Sequence, residues 1–228
     1  MADSTEKIKV LVLGDSGVGK TTLVNLVSNT NSKPSWTVGC NVEVIYHESR
    51  EYSEFIEMWD VGGSLVHENS RALFLRGCIY HGLILVHDLT NSKSYTNMIR
   101  WALEFAQHGE KSKRLSREAE IGLLQGIDIP KLIVGTKQDF LWSRSRYTTD
   151  RTGLIGDLNA QLISVNCLDH LQYKNSYQQQ QIANFFDQVI KHKKNASNRF
   201  NRPFRSTTES PAPSTSRYFS SLDLGFSF

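Results

Sequence analysis

A glycine-rich segment behind the first apolar run constrains the fold of this chain more than any other feature. Residues 14–21 (GDSGVGKT) follow the run 8–13 (IKVLVL) and fit the pattern GxxxxGK[ST]. Glycines let successive backbone N–H groups turn toward a phosphate, Lys20 supplies a positive charge to the β- and γ-phosphates, and Thr21 offers a hydroxyl to Mg²⁺. The spacing therefore predicts a strand, a phosphate-binding loop and a helix, in that order. The residues expected to contact the nucleotide here are Gly14, Asp15, Ser16, Gly17, Val18, Gly19, Lys20, Thr21 and Thr22.

Short apolar runs alternate with amphipathic segments along most of the chain, which is typical of βαβ units in a largely parallel sheet. Strands are predicted at 8–13, 82–88, 131–135 and 161–166, and a hairpin at 40–47 and 53–60. Helices are predicted at 20–29, 92–108, 152–160 and 177–192. The predicted fold class is α/β of the P-loop NTPase type, a six-stranded, mostly parallel sheet with one antiparallel edge strand and helices on both faces.

Two stretches depart from this alternation. Residues 109–129 form a long, partly charged connection with room for one short helix, and such connections are usually functional or mobile. From 193 onward the composition shifts to Asn, Arg, Ser, Thr and Pro, which cannot bury enough apolar surface to order itself. We therefore predict a tail at 1–6, one domain at 7–192, and a disordered tail at 193–228 that is first basic and then rich in Ser, Thr and Pro.

The formal net charge of +3 is unevenly distributed. Residues 191–228 hold seven Lys and Arg against two acidic residues, which leaves the first 190 residues at about −2. A nucleic-acid-binding domain carries its positive patch on its folded surface, so no nucleic-acid partner is expected. The basic part of the tail gives at most a weak electrostatic contact with an anionic membrane surface.

The cysteines and the chain ends bear on localisation. Cys40, Cys78 and Cys167 are widely spaced and lack zinc-ligand spacing, which indicates reduced thiols and a cytoplasmic protein. No apolar run approaches the ~20 residues that span a bilayer. Because no cysteine follows Cys167, and Ala2 excludes N-myristoylation, we expect no lipid anchor.

Three further segments occur in the order of a known family. Residues 59–63 (WDVGG) stand where that family has WDTAGQ, 136–139 (TKQD) where it has NKxD, and 36–39 (WTVG) where it has the TIG of its first switch. Over about residues 7–192 the chain resembles the Ras-like small GTPases, and Rab proteins in particular. With 87–91 (HDLTN) and a tail without cysteine, it looks most like the divergent Rab-like protein 3 branch.

The resemblance implies a guanine nucleotide, GTP or GDP, and Mg²⁺ as the bound groups. A carboxylate at Asp139 accepts two hydrogen bonds from the guanine edge, where adenine presents an acceptor. Lys137 is expected to lie along the base, and Thr136 replaces the usual asparagine. The base-facing SAK segment of the family aligns with Asn166 and Cys167.

The same resemblance implies a metal site and a contact to the γ-phosphate. Thr21 and Thr37 are the expected direct ligands of Mg²⁺, and Asp60 is expected to hold the ion through water. Gly62 is expected to offer its backbone N–H to the γ-phosphate. The Thr37 contact exists in the family only while that phosphate is present.

Two departures from the family pattern affect activity. We take Gly63 to occupy the position of the glutamine that orients the attacking water, so GTP hydrolysis is expected to be weak and enzymatic activity stays open. Only fifteen residues separate Thr21 from Thr37, which shortens the first switch. Residues 22–35 contain no aromatic side chain to cover the base, so faster nucleotide exchange is expected.

Two functional hypotheses follow. The first is a signalling or trafficking switch with slow intrinsic hydrolysis, and the resemblance implies control of other small GTPases, their prenylation and Ras-type signalling. Its partners would be an exchange factor, an effector, and other small GTPases or their chaperones. The alternative is an interaction scaffold that the nucleotide stabilises and that forms a homodimer independently of nucleotide. The apolar residues expected in that dimer are Trp36, Val42, Val44, Tyr46, Leu65, Leu73 and Phe74.

Overall fold

A single six-stranded sheet organises the protein. The computed structural model describes residues 7–109, 115–143 and 152–200. The strands lie in the order β2-β3-β1-β4-β5-β6, and all neighbours are parallel except β2 and β3. Their bounds are β1 Ile8–Leu13, β2 Cys40–Glu48, β3 Ser53–Val61, β4 Gly82–Asp88, β5 Lys131–Thr136 and β6 Gln161–Ser164. The predicted fold class is confirmed.

Helices cover both faces of the sheet, as parallel strands with two apolar faces require. Their bounds are α1 Lys20–Val27, α2 Glu68–Gly77, α3 Ser92–Ala106, α4 Arg117–Gln125, α5 Thr152–Leu158, α6 His170–Tyr173 and α7 Tyr177–Phe200. One core, with Leu23 and Phe185, lies between the sheet and α1 and α7. The other, with Met98 and Leu124, lies beneath α3 and α4. Every residue of β4 is buried, because this strand runs between both cores.

The predicted strands and helices are all present, with ends shifted by a few residues, and two further helices were not predicted. In α2 only Arg71 and Leu75 are buried, and its apolar residues form one consecutive run at 72–75, which does not indicate a helix. Helix α6 is a single four-residue turn. The connection 109–129 contains α4, whose start is capped by the Ser116 side chain accepting from the N–H of Ala119.

The C-terminal helix extends beyond the predicted domain boundary. The sequence predicts disorder from 193, whereas α7 continues to Phe200. Lys194 explains part of the extension, because its Nζ lies 2.7 Å from a carboxylate oxygen of Glu54 and 5.1 Å from the centre of the Tyr52 ring. The predicted tails at 1–6 and 201–228 lie outside the described residues. Within the described part of the chain, no helix is long and apolar enough to cross a membrane.

Candidate functional site

The predicted site residues gather at one edge of the sheet. The loops after β1, β3, β5 and β6 all leave from the carboxyl ends of their strands, the usual place for ligands in such a sheet. The register of the sheet brings the loops after β1 and β3 together, because Asp60 near the end of β3 pairs with Val12 just before the phosphate loop. Asp88 on β4 pairs with Thr136 on β5 in the same way.

The loop between β1 and α1 has the backbone of a phosphate cradle. Gly19 precedes α1 with a φ of 98°, a left-handed conformation that favours glycine. A side chain at Gly14 would collide with the carbonyl oxygen of Val86 on β4, so the loop lies close against the sheet. The loop therefore holds its shape through backbone conformation and close packing.

Lys20 is folded back over this loop. Its Nζ donates to the carbonyl oxygens of Gly14 and Asp15, each at 2.9 Å. Burial lowers the pKa of Lys20 to about 8, against the opposing effect of the carboxylates of Asp60 and Asp15. The ammonium group thus lies within the curve of the loop, where an anion would gain most from it.

The three predicted metal ligands come together beside Lys20. Thr21 Oγ1 donates to Asp60 Oδ2 at 2.5 Å, and Thr37 Oγ1 lies 3.0 Å from Thr21 Oγ1 and 3.2 Å from the same carboxylate oxygen. Asp60 is fully buried, and its Oδ1 has no hydrogen-bond partner among the described residues. Burial raises the pKa of Asp60, against hydrogen bonds from Thr21 and Thr37 and the charge of Lys20.

This donor set fits Mg²⁺. The ion prefers hard oxygen ligands and is usually held by one or two carboxylates together with substrate phosphates. A cavity of about 240 Å³ opens here. It is lined by the phosphate loop, both threonines and the first residues after β3. An unpartnered buried carboxylate oxygen beside such a cavity is the arrangement that a cation would satisfy.

Two predictions about the residues after β3 need correction. The backbone N–H of Gly62 donates to the carbonyl oxygen of Gly39 at 2.9 Å, so it is used between β3 and the first switch. The assignment of Gly63 to the glutamine position is wrong. A Cβ atom there would collide with the carbonyl oxygen of Gly14 and lie 2.6 Å from the backbone of Asp15 and Ser16.

Gly63 is therefore a close-approach residue that lets the backbone after β3 lie on the phosphate loop. The side chain at the place of the glutamine belongs to the next residue, Ser64, which lines the cavity. Counting from Asp60 along WDVGGS and WDTAGQ gives the same correspondence. A serine hydroxyl is shorter than a glutamine amide and cannot reach as far. Weak hydrolysis is therefore still expected, but because of Ser64 and not because of Gly63.

The side chain of Asp15 is held away from the phosphate loop. Its carboxylate faces α3, where Asn97 Nδ2 and Trp101 Nε1 donate to it at 2.7 and 2.8 Å. Arg100 Nη2 adds a longer contact of 3.3 Å. Its backbone is therefore the only part of Asp15 left to face a ligand in the loop.

At the base end, Thr136 supports the site and does not line it. Its side chain is buried, and Oγ1 donates to the carbonyl oxygens of Val18 and His87. Lys137 follows with a φ of 58° and donates from Nζ to Asp88 Oδ2 at 2.7 Å. Although burial acts to raise the pKa of Asp88, hydrogen bonds from Lys137 and Thr90 hold it below its usual value.

Asp139 and Asn166 line one cavity of about 310 Å³. Asp139 is exposed at the start of the 3₁₀ turn Gln138–Ser143, and Asn166 follows β6. Cys167 belongs to the core, where burial and the charge of Asp139 raise the pKa of its thiol to about 12. Only its backbone is therefore in a position to serve a ligand.

The shortened segment between Thr21 and Thr37 still brings Thr37 to Thr21 and Asp60. Helix α1 ends at Val27, two residues earlier than predicted, which leaves more chain for the return to Thr37. Asn25 guides that return by donating from Nδ2 to the carbonyl oxygen of Ser32 at 3.0 Å. Trp36 is 85% exposed and lies away from the core.

A parallel sheet with this phosphate cradle defines the class of P-loop nucleotide-binding proteins. A family model described as Ras of Complex, Roc, domain of DAPkinase matches residues 9–116. Rab-like protein 3 of Xenopus tropicalis is 40% identical over 204 residues, which cover 82% of this chain and 86% of that protein. Rab-like protein 3 of Homo sapiens is 38% identical over the same length and coverage.

Another relative matches a shorter part of the chain. Small GTPase-like protein LIP2 of Arabidopsis thaliana is 37% identical over 148 residues, 58% of this chain and 43% of that protein. The chain belongs to the family of Rab-like small GTPases. Membership implies binding of GTP and GDP, and the family resemblance expected from the sequence is confirmed.

Proposed function

We propose that this protein is a guanine-nucleotide switch whose first switch segment closes on Mg²⁺ and the γ-phosphate. The observation that carries the proposal is the meeting of Thr37 with Thr21 and Asp60, because these groups come from three separate elements. A mobile-loop hydroxyl at a shared metal site makes the loop sensitive to the terminal phosphate.

Each part of the cradle has a proposed role. Lys20 binds the β- and γ-phosphates, Thr21 and Thr37 are direct ligands of Mg²⁺, and Asp60 holds the ion through water. Residues 14–19 and Thr22 wrap the phosphates with backbone and hydroxyl donors. Gly63, lying on the phosphate loop, is the residue we propose to donate its N–H to the γ-phosphate.

The base end is proposed to select guanine. Asp139 accepts from the two donors on the guanine edge, and the stem of Lys137 covers one face of the base while its ammonium stays paired with Asp88. Thr136 holds the phosphate loop in register with β5. Asn166 and the backbone of Cys167 complete the pocket. The shared cavity beside Asp139 and Asn166 supports this arrangement.

The proposed biological role is regulatory. With Ser64 in place of a water-orienting glutamine, intrinsic hydrolysis is slow, so the lifetime of the GTP form depends on partners. An exchange factor, an effector and other small GTPases or their chaperones are the proposed partners, with control of prenylation and Ras-type signalling in the cytoplasm. Membership of the Rab-like small GTPases supports a regulatory role in general.

The deciding experiment quantifies the nucleotide in purified protein and then follows single-turnover hydrolysis on the same sample. We expect guanine nucleotide in the protein, selective binding of GTP over ATP, and hydrolysis slower than that of an ordinary Rab protein. Equal affinity for ATP and GTP would contradict the assignment of Asp139. Hydrolysis at the rate of an ordinary Rab protein would contradict the slow switch.

An exposed apolar strip favours a second function, a scaffold that dimerises independently of nucleotide. Val42, Val44 and Tyr46 alternate along the edge strand β2 and are exposed, as are Trp36 and Leu65 in the segments we expect to act as switches. Leu73 on α2 is also exposed. Exposed apolar strips on an edge strand are usual protein interfaces, and a two-fold dimer covers such a strip completely.

Sedimentation equilibrium at micromolar concentration tests the scaffold. The proposed dimer persists with GDP and with a GTP analogue, and Val44→Asp on the strip converts it to monomer. Thr96→Asp on the exposed face of α3 is the matched control and leaves the dimer intact. A monomer of about 26 kDa in both nucleotide forms would exclude the dimer. Phe74, half-buried beside Gly39, is less suitable for this test than Val44.

A further inference from the structure

A buried arginine that no motif identifies joins α2 to α3. Arg71 is 2% exposed, and its guanidinium donates to both carboxylate oxygens of Glu104, at 2.6 and 3.1 Å. The same group donates to the carbonyl oxygens of Gly62 and Ser64 at 3.3 and 2.9 Å. A buried charge is stable only when it is paired and hydrogen-bonded, so these four contacts depend on one another. The backbone after β3 is therefore attached to α3 through a single cation.

Trp101 connects this attachment to the phosphate loop. The guanidinium carbon of Arg71 lies 4.5 Å from the centre of the fully buried Trp101 ring. The indole N–H of the same residue donates to the carboxylate of Asp15, which also accepts from Asn97. One indole thus touches both the cation that holds residues 62–64 and the carboxylate that fixes the phosphate loop.

The two attachments hold different parts of the cavity wall. Gly63 lies against the phosphate loop, and Gly63, Ser64 and Thr37 line one cavity, which is where a γ-phosphate would be enclosed. The attachment of Asp15 fixes the loop that would surround the β-phosphate, which GDP and GTP both carry. It also keeps a negative side chain turned toward α3, and an anion-binding loop needs that charge directed away from its ligand.

We propose that Arg71 is a positioning residue for the terminal phosphate of GTP, and that Trp101 couples it to the phosphate loop through Asp15. This inference rests on the proposed switch function and deepens it. Arg71 presets the path of residues 62–64, so its loss weakens the binding of GTP more than that of GDP. Loss of the Asp15 attachment weakens the binding of GTP and of GDP by the same factor.

The test measures dissociation constants of GDP and of a non-hydrolysable GTP analogue on the full chain. Arg71→Met is expected to weaken the binding of the GTP analogue at least tenfold and the binding of GDP less than threefold. Arg71→Lys restores part of the loss, because it keeps the charge without the two-pronged geometry. Arg76→Met is the matched control on the same helix, since Arg76 contacts only the exposed carbonyl oxygen of His108 among the described residues, and it is expected to change neither constant.

A second set of variants tests the coupling. Asn97→Ala and Trp101→Phe each remove one hydrogen-bond donor to Asp15. Each is expected to weaken the binding of GDP and of the GTP analogue by the same factor. Combining Arg71→Met with Trp101→Leu, which removes the ring that Arg71 contacts, is expected to give less than the product of the single effects on the GTP analogue, because the two side chains share that contact. Multiplicative effects in that double variant would overturn the coupling.

The outcomes separate this inference from the proposed function. If the unaltered protein binds guanine nucleotides and Arg71→Met weakens both equally, the positioning role is wrong and the switch proposal stands. If the unaltered protein binds neither nucleotide, both proposals are wrong. Should Arg71→Met fail to fold, Glu104→Gln carries the test, since it keeps an acceptor for Arg71 but removes the charge. A GTP-selective loss supports the role, and an equal loss or none overturns it.

Discussion

The phosphate end and the base end of the candidate site are built differently. At the phosphate end, Lys20 and Asp60 are buried and already bonded to their neighbours. At the base end, Asp139 is exposed at the start of a 3₁₀ turn. Preformed, desolvated contacts contribute more to binding than exposed ones, because less order must be created when the ligand arrives. We infer that affinity comes mainly from the phosphate end and specificity from a few base-end groups.

The largest effect is expected from removing the charge at the phosphate end. Lys20→Ala deletes an ammonium placed to bind two phosphates, and two lost charge-assisted hydrogen bonds correspond to roughly a thousandfold weaker binding. GDP and GTP should both be affected. Isothermal titration with each nucleotide measures the loss, and Lys93→Ala at the exposed start of α3 is the control. An effect below tenfold would mean that the loop is not a phosphate cradle.

The next effect concerns the base end. Asp139→Asn replaces an acceptor of two hydrogen bonds by an amide, so GTP binding should weaken roughly a hundredfold while xanthosine triphosphate gains from the new donor. Competition binding with GTP, ATP and xanthosine triphosphate measures both changes. Asp169→Asn, at the half-buried N-cap of α6, is the control, since asparagine can accept the same capping hydrogen bond. If the preference between the bases does not change, Asp139 does not contact guanine.

A smaller and more selective effect should follow from crowding the contact between the two loops. Gly63→Ala places a methyl group against the carbonyl oxygen of Gly14, so the backbone after β3 must move away from the phosphate loop. GTP should bind roughly tenfold more weakly, a difference of ~1.4 kcal/mol, while GDP changes little. Gly122→Ala is the control, because a Cβ there meets no atom within 4 Å. If Gly63→Ala weakens the binding of GTP and GDP by the same factor, the proposed γ-phosphate contact is wrong.

The same two ends explain what could be predicted from the sequence. The phosphate loop depends on local spacing, and Thr37 and Asp60 follow in a fixed order, so their meeting with Thr21 was foreseeable. The pairing of Lys137 with Asp88 required the register of β4 and β5, which single-sequence patterns do not contain. The position of Asp15 likewise depends on α3, which lies more than eighty residues away in the chain.

Other features could not be predicted because they depend on which atoms from distant parts of the chain lie next to each other in the folded protein. A glycine that supplies flexibility and one that permits close approach look the same in sequence, and only the atoms around Gly63 separate them. Arg71 lies on a helix whose apolar residues form one consecutive run at 72–75, so the sequence indicated neither the helix nor its buried cation. The extension of α7 depends on contacts of Lys194 with the β2–β3 hairpin.

The smallest effect is expected at the side chain that lines the cavity between these two loops. Ser64→Gln introduces an amide able to orient a water molecule, so single-turnover hydrolysis of GTP should rise, on the order of tenfold or less. The backbone should stay in place, because Arg71 holds the carbonyl oxygen of Ser64 and not its side chain. Ser64→Ala is the control and should hydrolyse GTP at the unaltered rate, since the hydroxyl is too short to serve the same purpose. If Ser64→Gln binds GTP normally and its hydrolysis rate is unchanged, the slow reaction must have another cause, and the first candidate would be the position of Thr37 in the shortened switch.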